Sequence, residues 1–386
     1  MKIVMIGQKG LPSKFGGIET HVEHLSTRLV REGHEVIAYA RPWYSPGTSD
    51  RFNGVRVIRI PSIRTKHLDA ITHTLFSLIH ACLISAPDVI HVHGVGPSLL
   101  SWIARILSPS SVVITTFHCI DREHGKWGAV ARFALRAGEK MCVKSPHETI
   151  CVSKVLRNYI ESSYGKRTHY IPNGITPQRV TTNDVVLRPF GLRSNGYVAM
   201  VARLVPHKGA HILIDAWKVA KEKRPELLKD LKLAIVGGSS FTDSYIRDLH
   251  AQASGDDSIV FTDFQRGDVL TALFAGAKCI VHPSYSEGMP IAVLEAMSYG
   301  KAVLASDIPE NLEVVEDHGV SFASGDVNDL ASELIALLSD EMHMASIGHS
   351  ARGFVETDYN WDDIAKETLG VYKKHIHQRH GAFVTE

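Results

Sequence analysis

Short runs of β-branched and aliphatic residues alternate with amphipathic helical stretches along almost the whole chain, and the alternation happens twice, with a break near 172–196. Strands joined through helices in this way pair in parallel, because a crossover returns the chain to the same end of the sheet. The pattern predicts an α/β protein with two helix-covered parallel sheets. In the first half, strands are expected at 2–6, 35–39, 55–60, 89–93, 112–116, 149–152 and 169–171. In the second half they are expected at 197–201, 233–236, 259–262, 279–282, 302–305 and 320–322. The clearest helix, 18–32, sets Val22, Leu25, Ser26, Leu29 and Val30 at helical spacing and stops at Gly33.

The break is rich in Asn, Thr, Pro and Gly, which marks a connection between domains. A chain of 386 residues is long enough for two cores. The expected division is a Rossmann-like domain at 1–172, a linker at 173–196 and a second Rossmann-like domain at 197–360. A last helix, 361–379, is long enough to cross back over the first domain. Open α/β sheets bind ligands at the carboxyl ends of their strands, so two such domains facing each other would enclose a ligand cleft.

Composition narrows the partners. With 42 basic and 41 acidic residues the formal charge is +1, without the basic footprint of a nucleic-acid binder. Five cysteines in no CxxC pair read as free thiols in a reducing compartment. The N-terminal apolar run is too short for a secretory signal, and the stretch 75–86, which contains His80, falls short of the roughly 20 residues needed to span a bilayer. The expectation is a cytoplasmic protein with at most a peripheral contact at the inner face of the plasma membrane.

The segment 281–300, VHPSYSEGMPIAVLEAMSYG, carries the strongest chemical signal. Glu287 and Glu295 bracket a helix expected to begin at Pro290, whose first N–H groups are free to hold an anion while the carboxylates grip hydroxyls. That arrangement suits phosphates flanked by two sugars. In ARLVPHKG, an Arg203 fork and a Lys208 point charge lie five residues apart after the second domain's first strand, as a diphosphate requires.

The first domain's opening loop, GQKGLPSKFGG, runs into a helix, but Gly7, Gly10, Gly16 and Gly17 do not have GxGxxG spacing, which disfavours an NAD enzyme. His118 follows a strand, where a neutral imidazole can donate to a sugar hydroxyl or bond local backbone. His91 and His93 share a strand face and suggest a metal, but no carboxylate or cysteine at ligand spacing accompanies them, which disfavours a zinc site. There is also no Asp-x-Asp pair. No metal or cofactor is therefore expected, and charge neutralisation falls to Arg203, Lys208 and helix dipoles. The stretch 122–144 spaces Arg132, Arg136, Lys140 and Lys144 by about one helical turn, with Trp127, Phe133 and Leu135 between them. It reads as a solvated helix face or as a helix resting on an anionic membrane near a lipid-linked acceptor.

Taken in order, the FGG loop, the strand before His118, the RLxxxKG segment and the Glu287–Glu295 pair resemble glycosyltransferase family 4, retaining enzymes of the GT-B fold. The match covers almost the whole chain. The stretches 1–36 and 115–128 look like bacterial rhamnosyltransferase-like enzymes that build surface polysaccharides. The resemblance implies a nucleotide-diphosphate sugar donor, a saccharide or lipid-linked saccharide acceptor, and transfer of a hexosyl, deoxyhexosyl or N-acetylhexosaminyl group. It places Arg203 and Lys208 on the diphosphate and Glu287 on hydroxyls of the transferred sugar. It sets Gly288, Met289, Pro290, Ile291 and Ala292 around the distal phosphate and sugar, and Glu295 on the ribose. Gly16 and Gly17 would close over the phosphates, and His118 would lie near the reacting sugar. Ala202 stands where the family commonly has glycine. Two rival functions share this plan, a nucleotide-sugar epimerase and a catalytically silent sugar-nucleotide binder. The paired glutamates argue against the first, and the intact Arg203, Lys208, Glu287 and Glu295 against the second.

Overall fold

The computed structural model describes residues 1–47, 49–65, 68–123, 128–178, 182–239 and 242–382. The chain divides into two compact units, one of Met1–Gly174 with Trp361–Glu386, the other of Ile175–Asn360.

The first unit holds an eight-stranded sheet in the spatial order Arg51–Phe52, Val55–Arg59, Glu35–Ala40, Lys2–Ile6, Val89–His93, Val112–Phe117, Glu148–Cys151, His169–Tyr170. All neighbours pair in parallel except the first two, which form a hairpin. The sequence reading lacks Arg51–Phe52 because two residues show no alternation. The signal for it was the turn: Asn53 and Gly54 both have positive φ, as a tight hairpin requires.

Central strands here are buried on both faces because helices cover both, and Val89–His93 and Val112–Phe117 are entirely buried although they carry His91, His93, Thr115 and Thr116. On one face, Val22, Leu25 and Leu29 of helix Gly17–Arg31 pack with Trp361, Ile364 and Tyr372 of the final helix, Trp361–Ala382. On the other, Leu78, Ala81 and Ala104 cover Val4, Ile6, Ile90 and Val92. Trp361 and Tyr372 are buried, each worth roughly 1.5–3 kcal/mol or more relative to exposure, and Arg28 Nε reaches Asp362 Oδ1 at 2.6 Å. Those contacts bind the last helix into the first unit.

The second unit holds six parallel strands in the order Ile259–Asp263, Lys232–Val236, Tyr197–Val201, Cys279–His282, Val303–Ser306, Val320–Phe322. Trp217 is fully buried in its core and donates its indole N–H to Ser258 Oγ at 2.9 Å.

The stretch 173–196, expected as a linker, is largely part of the second unit. Ile175 N–H donates to the Tyr359 carbonyl at 2.7 Å, Asn183 caps the short helix Asp184–Leu187, and Asn195 N–H donates to the Gly276 carbonyl at 2.7 Å. Asn173 stays in the first unit, 3 % exposed. Its composition reported irregular backbone, and irregular backbone still makes contacts.

In each unit the first strand lies between neighbours reached in opposite directions. Lys2–Ile6 sits between Glu35–Ala40 and Val89–His93, and Tyr197–Val201 between Lys232–Val236 and Cys279–His282. Loops leaving such neighbours diverge and open a crevice at the carboxyl ends.

Candidate active site

In the second unit that crevice lies between the loop after Tyr197–Val201 and the loop after Cys279–His282. Gly209, with φ +74°, lets the loops touch: a Cβ there would fall 2.0 Å from the Pro283 carbonyl oxygen. Tyr285 N–H donates to the His207 carbonyl at 2.9 Å, stitching the same contact. As a result Lys208 Nζ forms an ion pair with Glu287 Oε1, with side chains only 14 % and 7 % exposed. The same oxygen accepts from Ser284 Oγ at 2.6 Å and lies 2.7 Å from His282 Nε2. Burial alone would raise the Glu287 pKa, but Lys208 and His282 outweigh it and hold the carboxyl well below its usual range. It is an ionised acceptor, and its Oε2 has no partner among the described residues.

Arg203 leads into the same loop, exposed and with no side-chain partner among the described residues. Helix Ile291–Ser298 begins one residue later than expected, with Pro290 at its cap position and no side-chain cap. A proline ring with φ −78° suits the entry to a helix, and its missing N–H costs nothing at the cap. The first N–H groups, at Ile291 and Ala292, precede any intrahelical acceptor. Gly288, Met289 and Pro290 are buried beneath them. Glu295 lies one turn along, partly exposed and without a partner among the described residues, and burial pushes its carboxyl up to about 7.

The first unit places its expected residues differently. Gly16 has φ +111° and caps helix Gly17–Arg31, but Glu19 turns back onto it: a Cβ at Gly16 would lie 2.0 Å from Glu19 Oε2. Glu19 also accepts from Lys9 N–H at 2.9 Å and lies 3.7 Å from Lys9 Nζ. The helix N-terminus that the glycines seemed to offer to a phosphate already has a carboxylate beside it. This weakens the anion role drawn for Gly16 and Gly17.

His118 is 7 % exposed at the end of Val112–Phe117, its Nε2 3.3 Å from His93 Nδ1. His21, from the glycine-loop helix, stands edge-on to it with ring centres 4.9 Å apart, and His21 Nδ1 lies 2.8 Å from Asn173 Oδ1. One ring nitrogen each of His21, His93 and His118 lies within 4.8 Å of the others. Desolvation lowers all three, His21 to about 4 and the other two well below 6.5, so the cluster is neutral. Imidazole donors at such separations also fit a transition metal, with His21 and His118 rather than His91 as the companions of His93. His91, the other member of the strand pair, is spent on Tyr372 Oη and Thr116 Oγ1, each at 2.6 Å.

Two helix-covered, mainly parallel sheets with ligand-side loops of this kind are the architecture of the GT-B fold. The comparisons agree: residues 192–354 match the model of glycosyl transferases group 1, and residues 15–179 that of glycosyltransferase family 4, so the chain belongs to this glycosyltransferase family. An uncharacterized glycosyltransferase of Methanocaldococcus jannaschii is 30% identical over 97% of this chain and 98% of its own length. A glycogen synthase of Mycobacterium tuberculosis is 27% identical over 96% and 94%. Among solved structures, sucrose-phosphate synthase from Thermosynechococcus elongatus superposes with TM-score 0.82 at 21% identity, covering 98% of this chain and 99% of that one. Anabaena HepE, solved with UDP and glucose, gives 0.79 at 20% identity, over 97% and 100%.

Sequence reasoning missed His282 and Ser284 as partners of Glu287, although both lie within five residues of it, one at the end of the strand and one in the loop that follows. It missed His21 as a neighbour of His118, and Asn173 as the partner of His21, for a different reason: no local pattern joins residues so far apart.

Proposed function

We propose that this glycosyltransferase moves a sugar from a nucleoside-diphosphate sugar to an acceptor hydroxyl with retention of configuration, and that it does so without a metal. The observation that carries the reading is the arrangement on two touching loops of an ionised Glu287 held by Lys208, an unpartnered Arg203 and an uncapped helix N-terminus. The transferred sugar's hydroxyls donate to Glu287, the ribose hydroxyls donate to Glu295, and the diphosphate takes Arg203, Lys208 and the N–H groups of Ile291 and Ala292. The base packs near 263–266 and 283–286.

Cleavage of the bond from sugar to phosphate develops positive charge on the sugar and negative charge on the leaving diphosphate. Preorganised donors at that second charge lower the barrier because they need no rearrangement as it grows. No described carboxylate is proposed as general acid or base. The departing phosphate takes the acceptor proton on the same face, which yields retention. His118, neutral and at a strand end, is proposed as a donor to the reacting sugar. The likeness to Anabaena HepE, solved with UDP and glucose and with UDP-glucose, supports a nucleotide-sugar donor. The likeness to rhamnosyltransferase-like enzymes supports deoxyhexose transfer in surface-polysaccharide assembly, with a peripheral contact to a membrane.

Thermal-shift screening of nucleotide sugars tests the donor, since a ligand of the folded state raises apparent stability. The anomeric configuration of the product, read by NMR, tests retention. An inverted product or a donor epimerised without acceptor would refute the reading.

A further inference from the structure

The first unit carries an apolar surface that neither core uses. Helix Asp69–His80 and the π-helical turn Ala81–Ser85 that continues it leave Phe76, Ile79, Leu83 and Ile84 exposed, the last two at 67 % and 71 %. Helix Ser101–Leu107 packs beside them and exposes Trp102 and Ile106 on one face, at i and i+4. Scattered exposed apolar residues need no explanation, but six large ones on packed neighbouring helices form a patch.

From Ala70 to Pro87 there is no Asp, Glu, Lys or Arg. The charges that border the patch are mostly basic; the acids at its edge, Asp88 and Glu35, both lie against Lys2, Asp88 accepting from its N–H at 2.7 Å and Glu35 sitting 3.9 Å from its Nζ. Arg105 stands on the same exposed face as Trp102 and Ile106, and helix Ala129–Lys144, which touches Ser101–Leu107, exposes Arg132, Arg136, Lys140 and Lys144. The carboxylates of these helices are withdrawn: Asp69 is paired with Arg41 at 2.7 Å, and buried Glu139 with Arg122 at 3.0 Å. A groove of about 560 Å³ lies against the basic helix, lined by Arg122, Arg132, Arg136 and Phe133. In a chain whose formal charge is +1, this concentration of exposed cations beside an apolar patch is local.

We infer that this face of the first unit docks on an anionic phospholipid bilayer. Leu83, Ile84 and Ile106 enter the acyl boundary, Trp102 sits at headgroup depth, and the arginine groove takes lipid phosphates. A second copy is the weaker occupant, because a two-fold interface sets the same cationic border of each copy against the other. The surface uses no residue of the donor site, so docking can fail while donor binding stands.

Flotation of the full chain with vesicles of phosphatidylcholine and phosphatidylglycerol, against phosphatidylcholine alone, tests it. Binding is expected only to the anionic vesicles and should fall steeply in high salt. Leu83→Glu with Ile84→Glu, both at exposed positions, should weaken binding at least tenfold. Arg132→Glu with Arg136→Glu should do the same, since each cation near an anionic surface contributes about fivefold. Unchanged melting temperature and donor binding in both variants would show that the fold is intact. Equal flotation of the variants and the parent would overturn the inference. So would a parent that ignores vesicles and sediments as a dimer that Leu83→Glu splits.

Discussion

Lys208 and Glu287, 79 residues apart in sequence, form an ion pair on two different loops at the carboxyl end of the second sheet. The pairing changes the charge available to a diphosphate. Lys208 is shared with a permanent internal partner, so the unshared positive groups of the site are Arg203 and the N-terminus of Ile291–Ser298.

Lys208→Ala should therefore do more than slow turnover. It strands an ionised carboxylate in a buried position, a loss of about 3–5 kcal/mol. Adding Glu287→Gln removes the stranded charge and should recover most of that stability, with turnover still lost. Urea denaturation of the single and double variants measures this, and a double variant as unstable as the single one would contradict it.

Arg203→Ala should separate the other way. An exposed side chain with no partner contributes little to folding, so stability should stay within about 0.5 kcal/mol. Turnover should fall by about 10²- to 10³-fold, as when one donor to a developing charge is removed. Steady-state kinetics beside a melting curve checks both halves.

Glu295 should give the apo protein a pH slope. Burial raises its folded pKa from 4.5 to about 7, so between those values the folded state holds a proton that the unfolded state has lost. Stability then falls as pH rises through that window, and Glu295→Gln removes the fall. The variant should match the parent at pH 4.5 and exceed it by about 2 kcal/mol at pH 8, a figure reduced from the full shift for partial exposure. Donor affinity of the parent should rise with pH through about 7, as the carboxylate that accepts from ribose forms. The Gln variant should bind more weakly at pH 8 and show no such rise. Calorimetric titration at several pH values decides it.

The histidine cluster should stay neutral and metal-free. His93 Nδ1 and His118 Nε2 are spent on each other, and burial keeps both far below 6.5. Dialysis against a chelator should leave turnover unchanged, and no step assignable to His118 should appear in the pH profile above 6. One equivalent of zinc per chain, lost together with activity on chelation, would assign the cluster to a metal instead.

Sheets, helices and the order of the motifs were legible in this chain because strand and helix periods are local properties. The donor-half motifs were legible for a related reason: Arg203 to Lys208 and Glu287 to Glu295 each lie within one strand-to-helix loop. The two-residue strand Arg51–Phe52 escaped because it has no period, and 173–196 was read as linker because composition says nothing about contacts.

Which motif residue touches which was settled by the tertiary structure alone. The reversal of strand order around Tyr197–Val201 brings Lys208 to Glu287, and Gly209 permits the approach. Close packing also puts Glu19 against Gly16, sets His21 beside His118, and leaves Glu295 without a partner where burial raises its pKa. Residue types and spacings declare what chemistry a loop can carry. Burial and long-range proximity decide its charge state and its neighbours, because both depend on chain segments that are remote in sequence and meet only when the sheet has formed.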